Sequence, residues 1–303
     1  MIIYPQRPAI WTLLFSLKGS IIPSIWRKVL FTVLISSLVV VAEGMLEGHK
    51  LLLTATPFTL WGLTLAIFLA FRNNVAYQRF WEARTLWGEL LIVARNLARQ
   101  SLVLLPGLSR EQRLALVTPL IGFSHALKDC LRGEPLGAEA RQYLGADSAT
   151  PALPTTPNAL LGQIARRFME QATASGASDV LKVELDQQLT RLSYVLGGCE
   201  RIRNTPIPYP YILMLHRVVH IYCVLLPFCL VGSLGWFTPI AVCILAYTFF
   251  GLDALGDQIA DPFDTQPNDL ALDAICRTIE ISILELLGEP APAPLEPVDG
   301  VLL

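Results

Sequence analysis

The feature that most constrains this chain is a junction. Residues 51–71 are apolar and long enough to cross a bilayer, which takes about 20 such residues, and they run without an intervening charge into a polar block. Residues 71–88 mix arginine (Arg72, Arg79, Arg84), amide (Asn73, Asn74, Gln78) and large aromatic side chains (Phe80, Trp81, Trp87). That mixture occurs where a helix leaves hydrocarbon for water. A helix crossing this boundary unbroken carries intramembrane geometry into a cytosolic body. A channel or transporter requires such continuity; an anchored enzyme does not.

Composition agrees with a membrane setting. Apolar residues make up 53% of the chain and charged residues 16%, against about 25% charged in soluble domains. A net charge of -2 points to neither nucleic acid nor an acidic ligand as partner. Four segments read as spans: residues 29–42 extended by their flanks, 51–71, 212–231 and 239–252. His216, Arg217 and His220 interrupt the third, so its first turns are expected at the interface. Arg7, Lys18, Arg27 and Lys28 precede the first span, Lys50 alone follows it, beside Glu43 and Glu47, and residues 232–237 carry no charge. The positive-inside rule then predicts a multi-pass protein with both termini and the middle segment cytoplasmic. Residues 10–17 are too short to span and read as an interfacial helix.

The middle segment reads as all helix. No proline interrupts residues 72–105, and Pro106-Gly107 stops that run. Ser109 with Gln112 predicts a capping box for a helix to about Leu131. Asn158 is the expected N-cap after a proline-rich loop, and Ser178 or Asp179 the N-cap of a helix towards Arg201. No strand pattern competes. The chain therefore divides into 1–71 (interfacial helix and two transmembrane helices), 72–210 (helical cytosolic domain), 211–252 (two further transmembrane helices) and 253–303 (C-terminal helix and tail). Six cysteines without CxxC spacing read as small apolar residues, not as disulfides or a thiolate metal site.

Two faces carry functional interest. In the second span Gly62, Ala66 and Ala70 make a strip of small residues, the kind that lets helix backbones approach closely in lipid. Beside it lie Leu63, Ile67 and Phe71, either a lipid-facing strip or, in an oligomer, a hydrophobic constriction that gates by dewetting. At the end of the fourth span Asp253, Asp257 and Asp261 recur every four residues. Like charges at that spacing repel, so the face should meet cations, water or arginines such as Arg72, Arg79 or Arg84. Asp264 and Asp269 come next, in a loop whose oxygens offer a candidate metal site, without the spacing of an EF-hand.

Several blocks together resemble the bestrophin family, in particular its bacterial members. They are Arg79-Phe80-Trp81-Glu82 with Arg84 and Trp87-Gly88; Gly197-Gly198-Cys199-Glu200-Arg201-Ile202 with Thr205-Pro206-Ile207-Pro208; and Asp261-Pro262-Phe263 with Asn268-Asp269-Leu270 and residues 274–280. The resemblance implies an all-α membrane protein assembled as a homopentamer around one axial pore. It puts the neck at Leu63, Ile67 and Phe71, and the cytosolic aperture at Val180. It also implies a calcium (Ca²⁺) clasp after the Pro-Phe pair. There this chain keeps only Asp264 and Asp269 of the acidic run, with Asp264 in a glycine's place.

The expected function is thus an ion channel of the bacterial inner membrane, passing small monovalent ions. The acids at the fourth span and the sparse clasp favour a cation such as sodium, which the resemblance to bacterial bestrophins also implies, whereas eukaryotic bestrophins are calcium-activated anion channels. The competing classes are a non-conducting membrane scaffold and a membrane-bound enzyme. The enzyme reading lacks convergent acid–base groups: His49 and His125 stand alone, and His216 with His220 share a face suited to an interfacial anchor.

Overall fold

The computed structural model describes residues 11, 16–17, 19–45, 55–144 and 156–302. The expected interfacial helix at 10–17 and the Lys50 link lie largely outside them. Among the described residues the regular secondary structure is helical, apart from one isolated bridge near the C-terminus. The helices form two compact units, residues 4–80 with 206–261 and residues 81–205 with 262–303.

The first unit holds α1 (Ile22–Met45), the first part of α2 (Ala55–Val103), α7 (Tyr209–Leu234), a 3₁₀ turn (Gly235–Phe237) and α8 (Thr238–Ala260). Its core is built from Ile25 of α1, Leu65 and Leu69 of α2, Leu215, Val219, Tyr222 and Leu226 of α7, and Val242, Ala246 and Phe250 of α8. Tyr222 sits at the centre. Its ring meets Trp61 edge-on at 5.7 Å and Phe249 at 5.1 Å, while Gly62 lies directly beneath it. A Cβ on Gly62 would overlap the Tyr222 hydroxyl and come within 3.0 Å of Cζ, so only glycine permits this approach.

The outward faces of the unit are apolar too. Phe31, Leu34 and Leu38 of α1 and Ile240, Ile244 and Tyr247 of α8 are exposed. Such a surface is an aggregation hazard in water and the natural surface in hydrocarbon. Hydroxyls on these helices are satisfied from within: Thr32, Ser37, Thr64 and Thr248 each donate to the carbonyl four residues earlier, as a medium without water demands.

The second unit holds the rest of α2, α3 (Arg110–Arg132), α4 (Ala138–Leu144), α5 (Pro157–Ala174), α6 (Asp179–Asn204) and α9 (Leu272–Leu287). By length and composition α3 qualifies as a membrane span, yet 78% of its apolar window is buried, against 22% for α1. Protein wraps this helix on most sides, so it forms the core of the second unit and does not present an outward apolar surface as α1 does. The capping box at Ser109 forms as expected, with Gln112 N donating to Ser109 Oγ and Ser109 N to Gln112 Oε1. Gly133, in the left-handed region at φ 74°, ends the helix.

Two local expectations are corrected. Helix α5 is capped by Thr156, not Asn158: Pro157 takes the first helical position, where its missing N–H costs nothing, and Thr156 Oγ1 accepts from Ala159 N. Helix α4 was not expected at all, because seven residues are too few to establish a period.

A buried polar network knits α3, α4 and α9. Lys128 and Arg132, one turn apart on α3, donate to the two carboxylate oxygens of Asp273 at 2.7 and 2.9 Å. Tyr143 of α4 donates to Glu280 of α9 at 2.5 Å. Burial pushes the His125 imidazole below its ordinary value, against the opposing charge of Glu139. Burial also holds the Cys276 and Cys199 thiols up at about 12. These cysteines are inert packing residues, since the thiolate is the reactive form.

Candidate functional site

Helix α2 is the element to build from. Its 49 residues run without a break from Ala55 to Val103, through the whole junction. In the first unit one face of α2 is buried at Gly62, Leu65, Leu69, Arg72 and Ala76, a spacing of three and four that gives a straight stripe. Within this chain the small-residue strip at Gly62, Ala66 and Ala70 divides between two sides. Only Gly62 is buried; Ala66 and Ala70 are exposed. The packing against α7 and α8 is done by leucines, with a single glycine admitting Tyr222.

The opposite side carries Leu63, Ile67 and Phe71 in a row, exposed by 60%, 47% and 62%. Ala66 and Ala70 flank that row and are exposed with it. The result is a ridge of bulky apolar side chains beside a furrow of small ones, uncovered within this single chain. Val180 stands at the first turn of α6, just past its N-cap Ser178, and is 78% exposed.

Immediately after Phe71 the buried stripe turns polar. Arg72 is 1% exposed. Its Nη1 donates to Asp253 Oδ1 at 2.6 Å and to the Asp253 carbonyl at 3.3 Å, and its Nη2 pairs with Asp257 Oδ1. Asp253 is itself 1% exposed and Asp257 45%. The second oxygen of each carboxylate faces His216 of α7: Asp253 Oδ2 lies 2.5 Å from Nδ1 and Asp257 Oδ2 3.3 Å from Nε2. Asn73 adds a bond to the Leu252 carbonyl, and Arg79 one to that of Ala260.

The acidic face is thus partly as expected and partly not. Arg72 does pair with Asp253 and Asp257. Arg84 belongs to the other unit and is exposed. Asp261 does not share the helix face: α8 ends at Ala260, and Asp261 is its C-cap, with φ -114° and ψ 88°. His216 and His220, one turn apart on α7, make different contacts. His220 Nδ1 lies against the His216 carbonyl and its ring packs edge-on to Phe250, while His216 turns to the carboxylates. Sequence reasoning missed the His216 contact; its only signal was a histidine in a span otherwise apolar.

Among the described residues His216, Asp253 and Asp257 bring three ligand-type atoms together. Arg72 already takes one oxygen from each carboxylate, and its positive charge opposes a divalent ion there. The cluster is a closed charge network rather than a metal cage. In the loop after α8 the two carboxylates expected to offer metal oxygens make local bonds. Asp264 is exposed and its Oδ1 accepts from Thr265 N; Asp269 is buried and its Oδ2 accepts from Gln266 N at 2.7 Å. These carboxylates cap the turns of their own loop, which Leu270 N closes onto the Pro262 carbonyl.

Comparison with known proteins agrees with this architecture. The family model described as bacterial/fungal bestrophin protein matches residues 1–285. A voltage-dependent anion channel-forming protein of Mesorhizobium japonicum is 41% identical over 293 residues, covering 96% of this chain and 94% of that one. The voltage-dependent anion channel-forming protein YneE of Escherichia coli K12 is 37% identical, with 95% of each chain covered. The crystal structure of a bacterial bestrophin homolog from Klebsiella pneumoniae, phased on zinc, superposes with a TM-score of 0.80 at 37% identity, over 88% of this chain and 99% of that one. On sequence and fold together, this chain belongs to the bestrophin family.

Proposed function

We propose that the protein is an anion-conducting channel of the bacterial inner membrane, assembled as a homopentamer with one α2 per subunit around the axis. The observation that carries this reading is the uncovered ridge of Leu63, Ile67 and Phe71 with its furrow of Ala66 and Ala70. In a ring of α2 helices the alanines let neighbouring backbones approach, and the bulky residues point into the neck as three apolar rings. Val180, exposed at the first turn of α6, is the candidate for a second ring at the cytosolic exit. The termini and the second unit lie on the cytosolic side, and bilayer lipid covers the exposed faces of α1 and α8.

The sign of the permeating ion rests on two supports. Relatives over nearly the whole chain carry an anion-channel name. One ground for expecting cations is a row of three acids, and two of them are held by Arg72 and face His216. A neck of apolar rings impedes either sign by dewetting, so small monovalent anions such as chloride are the proposed substrate.

Planar-bilayer recording tests the proposal. Replacing Leu63, Ile67 and Phe71 together by Ala should raise single-channel conductance. Reversal potentials under a KCl gradient should lie towards the chloride equilibrium potential. Unchanged conductance would return the ridge to lipid, and a shift towards the potassium potential would refute the anion assignment. Native mass spectrometry should give five chains of 33.4 kDa.

A further inference from the structure

We propose that the groove between α1 and α8 binds an anionic glycerophospholipid, with one acyl chain in the groove and the phosphate at Arg27. The inference goes beyond conduction. It rests on α1 and α8 lying in a bilayer, so its test does not need an open channel.

The groove is a cavity of about 460 Å³. Ile22, Trp26, Val29 and Val33 line it from α1, and Cys243 and Tyr247 from α8. The α1 residues follow one another by three and four, so the groove runs along the helix. From Ile22 to Val33 the helix rises about 16 Å, at 1.5 Å per residue. Half of a hydrocarbon core about 30 Å thick is about 15 Å. The groove therefore has the depth of one leaflet, which is the depth an acyl chain fills. Its lining is apolar, apart from the thiol of Cys243, the hydroxyl of Tyr247 and the indole N–H of Trp26.

Charge marks the headgroup end. Arg27 and Lys28 stand in the second turn of α1, at the end of the groove that Ile22 and Trp26 form. The Arg27 guanidinium lies over the Trp26 ring, 5.4 Å from its centroid, and the Lys28 ammonium lies 5.8 Å from the centre of the Phe250 ring of α8. Among the described residues no carboxylate pairs with either cation, whereas Arg72 in the same unit takes two. A guanidinium at the edge of hydrocarbon requires a counter-charge, and the lipid phosphate is the anion at that level. Guanidinium binds phosphate through two parallel hydrogen bonds. Trp26, half-exposed, has the amphipathic ring suited to the headgroup boundary, and its contact with Arg27 holds the guanidinium at the rim of the groove. Two cations beside one phosphate select a headgroup of net negative charge. A zwitterionic headgroup would bring its own ammonium against them.

Native mass spectrometry of the detergent-solubilised protein, titrated with equal amounts of phosphatidylglycerol and phosphatidylethanolamine, tests the proposal. The wild type should retain phosphatidylglycerol in preference, by about tenfold at its tightest site. Arg27→Gln should cut that preference about fivefold, the effect of one basic residue beside an anionic surface, and Arg27→Lys should keep most of it. Val33→Phe, which fills the deep end of the groove, should weaken both lipids alike. Equal retention of the two lipids by the wild type, or an undiminished preference in Arg27→Gln, overturns the inference. Photocrosslinking of wild-type proteoliposomes needs no variant, with phosphatidylglycerol carrying a diazirine on one acyl chain. Adducts should concentrate on peptides holding residues 22–33 and 243–247. Adducts spread evenly over every exposed apolar helix face would show bulk lipid only and overturn the inference.

Discussion

Replacing Asp273 by Asn should destabilise the protein by about 2–3 kcal/mol at neutral pH, with a defined pH signature. Asp273 lies in the first turn of α9 and ties it to α3 through two charged hydrogen bonds. The amide keeps the shape but turns an NH₂ towards a cation. Arg132, 8% exposed, then loses its carboxylate; Lys128, equally buried, keeps Glu139 at 3.5 Å and Asp129 at 3.7 Å. Breaking a fully buried ion pair costs about 3–5 kcal/mol. The expected value is lower because Asp273 is 26% exposed and Lys128 retains partners. Burial alone would raise the Asp273 carboxyl, but the hydrogen bonds and charges of Lys128 and Arg132 outweigh it and hold the group below its ordinary value. A carboxyl depressed in the folded state contributes stability above its unfolded value, near pH 3.9, and loses it as pH falls through the lower folded value. The gap between wild type and variant should therefore be full at neutral pH and shrink as pH falls below the ordinary carboxylate value. Equilibrium urea titration of the detergent-solubilised protein measures it, with a midpoint shift of about 1 M for a slope of 2–3 kcal/mol/M. A neutral-pH gap under about 0.5 kcal/mol, or one that persists in acid, would refute the reasoning.

Two further outcomes rest on packing. Gly62→Ala should destabilise the first unit by about 1–3 kcal/mol by overpacking, and Tyr222→Phe should recover part of that loss, because the added methyl collides first with the hydroxyl; equal losses in single and double variants would count against this. Cys199 and Cys276, held at about 12 by burial, should resist maleimide at about pH 8 in the folded protein and react on unfolding. Rapid labelling of either before unfolding would contradict their placement in the core.

The sequence made the course of the backbone legible and the choice of buried face illegible. The run of α2 through the junction, the capping box at Ser109 and the cap at Ser178 all arise from local rules, and all are present. The face of α2 that packs did not. In water the apolar side of a helix is the buried side, so periodicity names the core. In residues 55–71 nearly every side is apolar, and the pattern names no face. Small residues do not name it either: within this chain Ala66 and Ala70 are exposed, and Leu65 and Leu69 buried. The true signal was Arg72. A charge cannot face hydrocarbon there, so its side of the helix must be the protein side, and counting back by three and four from Arg72 gives Leu69, Leu65 and Gly62. The acidic row failed for a different reason. Spacing of four assumes a helix, and α8 stops one residue short of Asp261.

The same cluster bears on ion selectivity. Counted as formal charges, Asp253, Asp257 and Asp261 make an acidic mouth that should draw cations. Counted as a network, Asp253 and Asp257 share Arg72 and both face His216. An apolar neck supplies a barrier without a preference, so fixed charges near its end must supply the preference. In this chain those nearest to Phe71 are arranged to cancel rather than to accumulate. A cation filter would need the carboxylates free, and Arg72 takes an oxygen from each of the two on α8. On the channel reading proposed above, anion passage at this neck requires no positive ring, only that Arg72 keep the two carboxylates of α8 compensated.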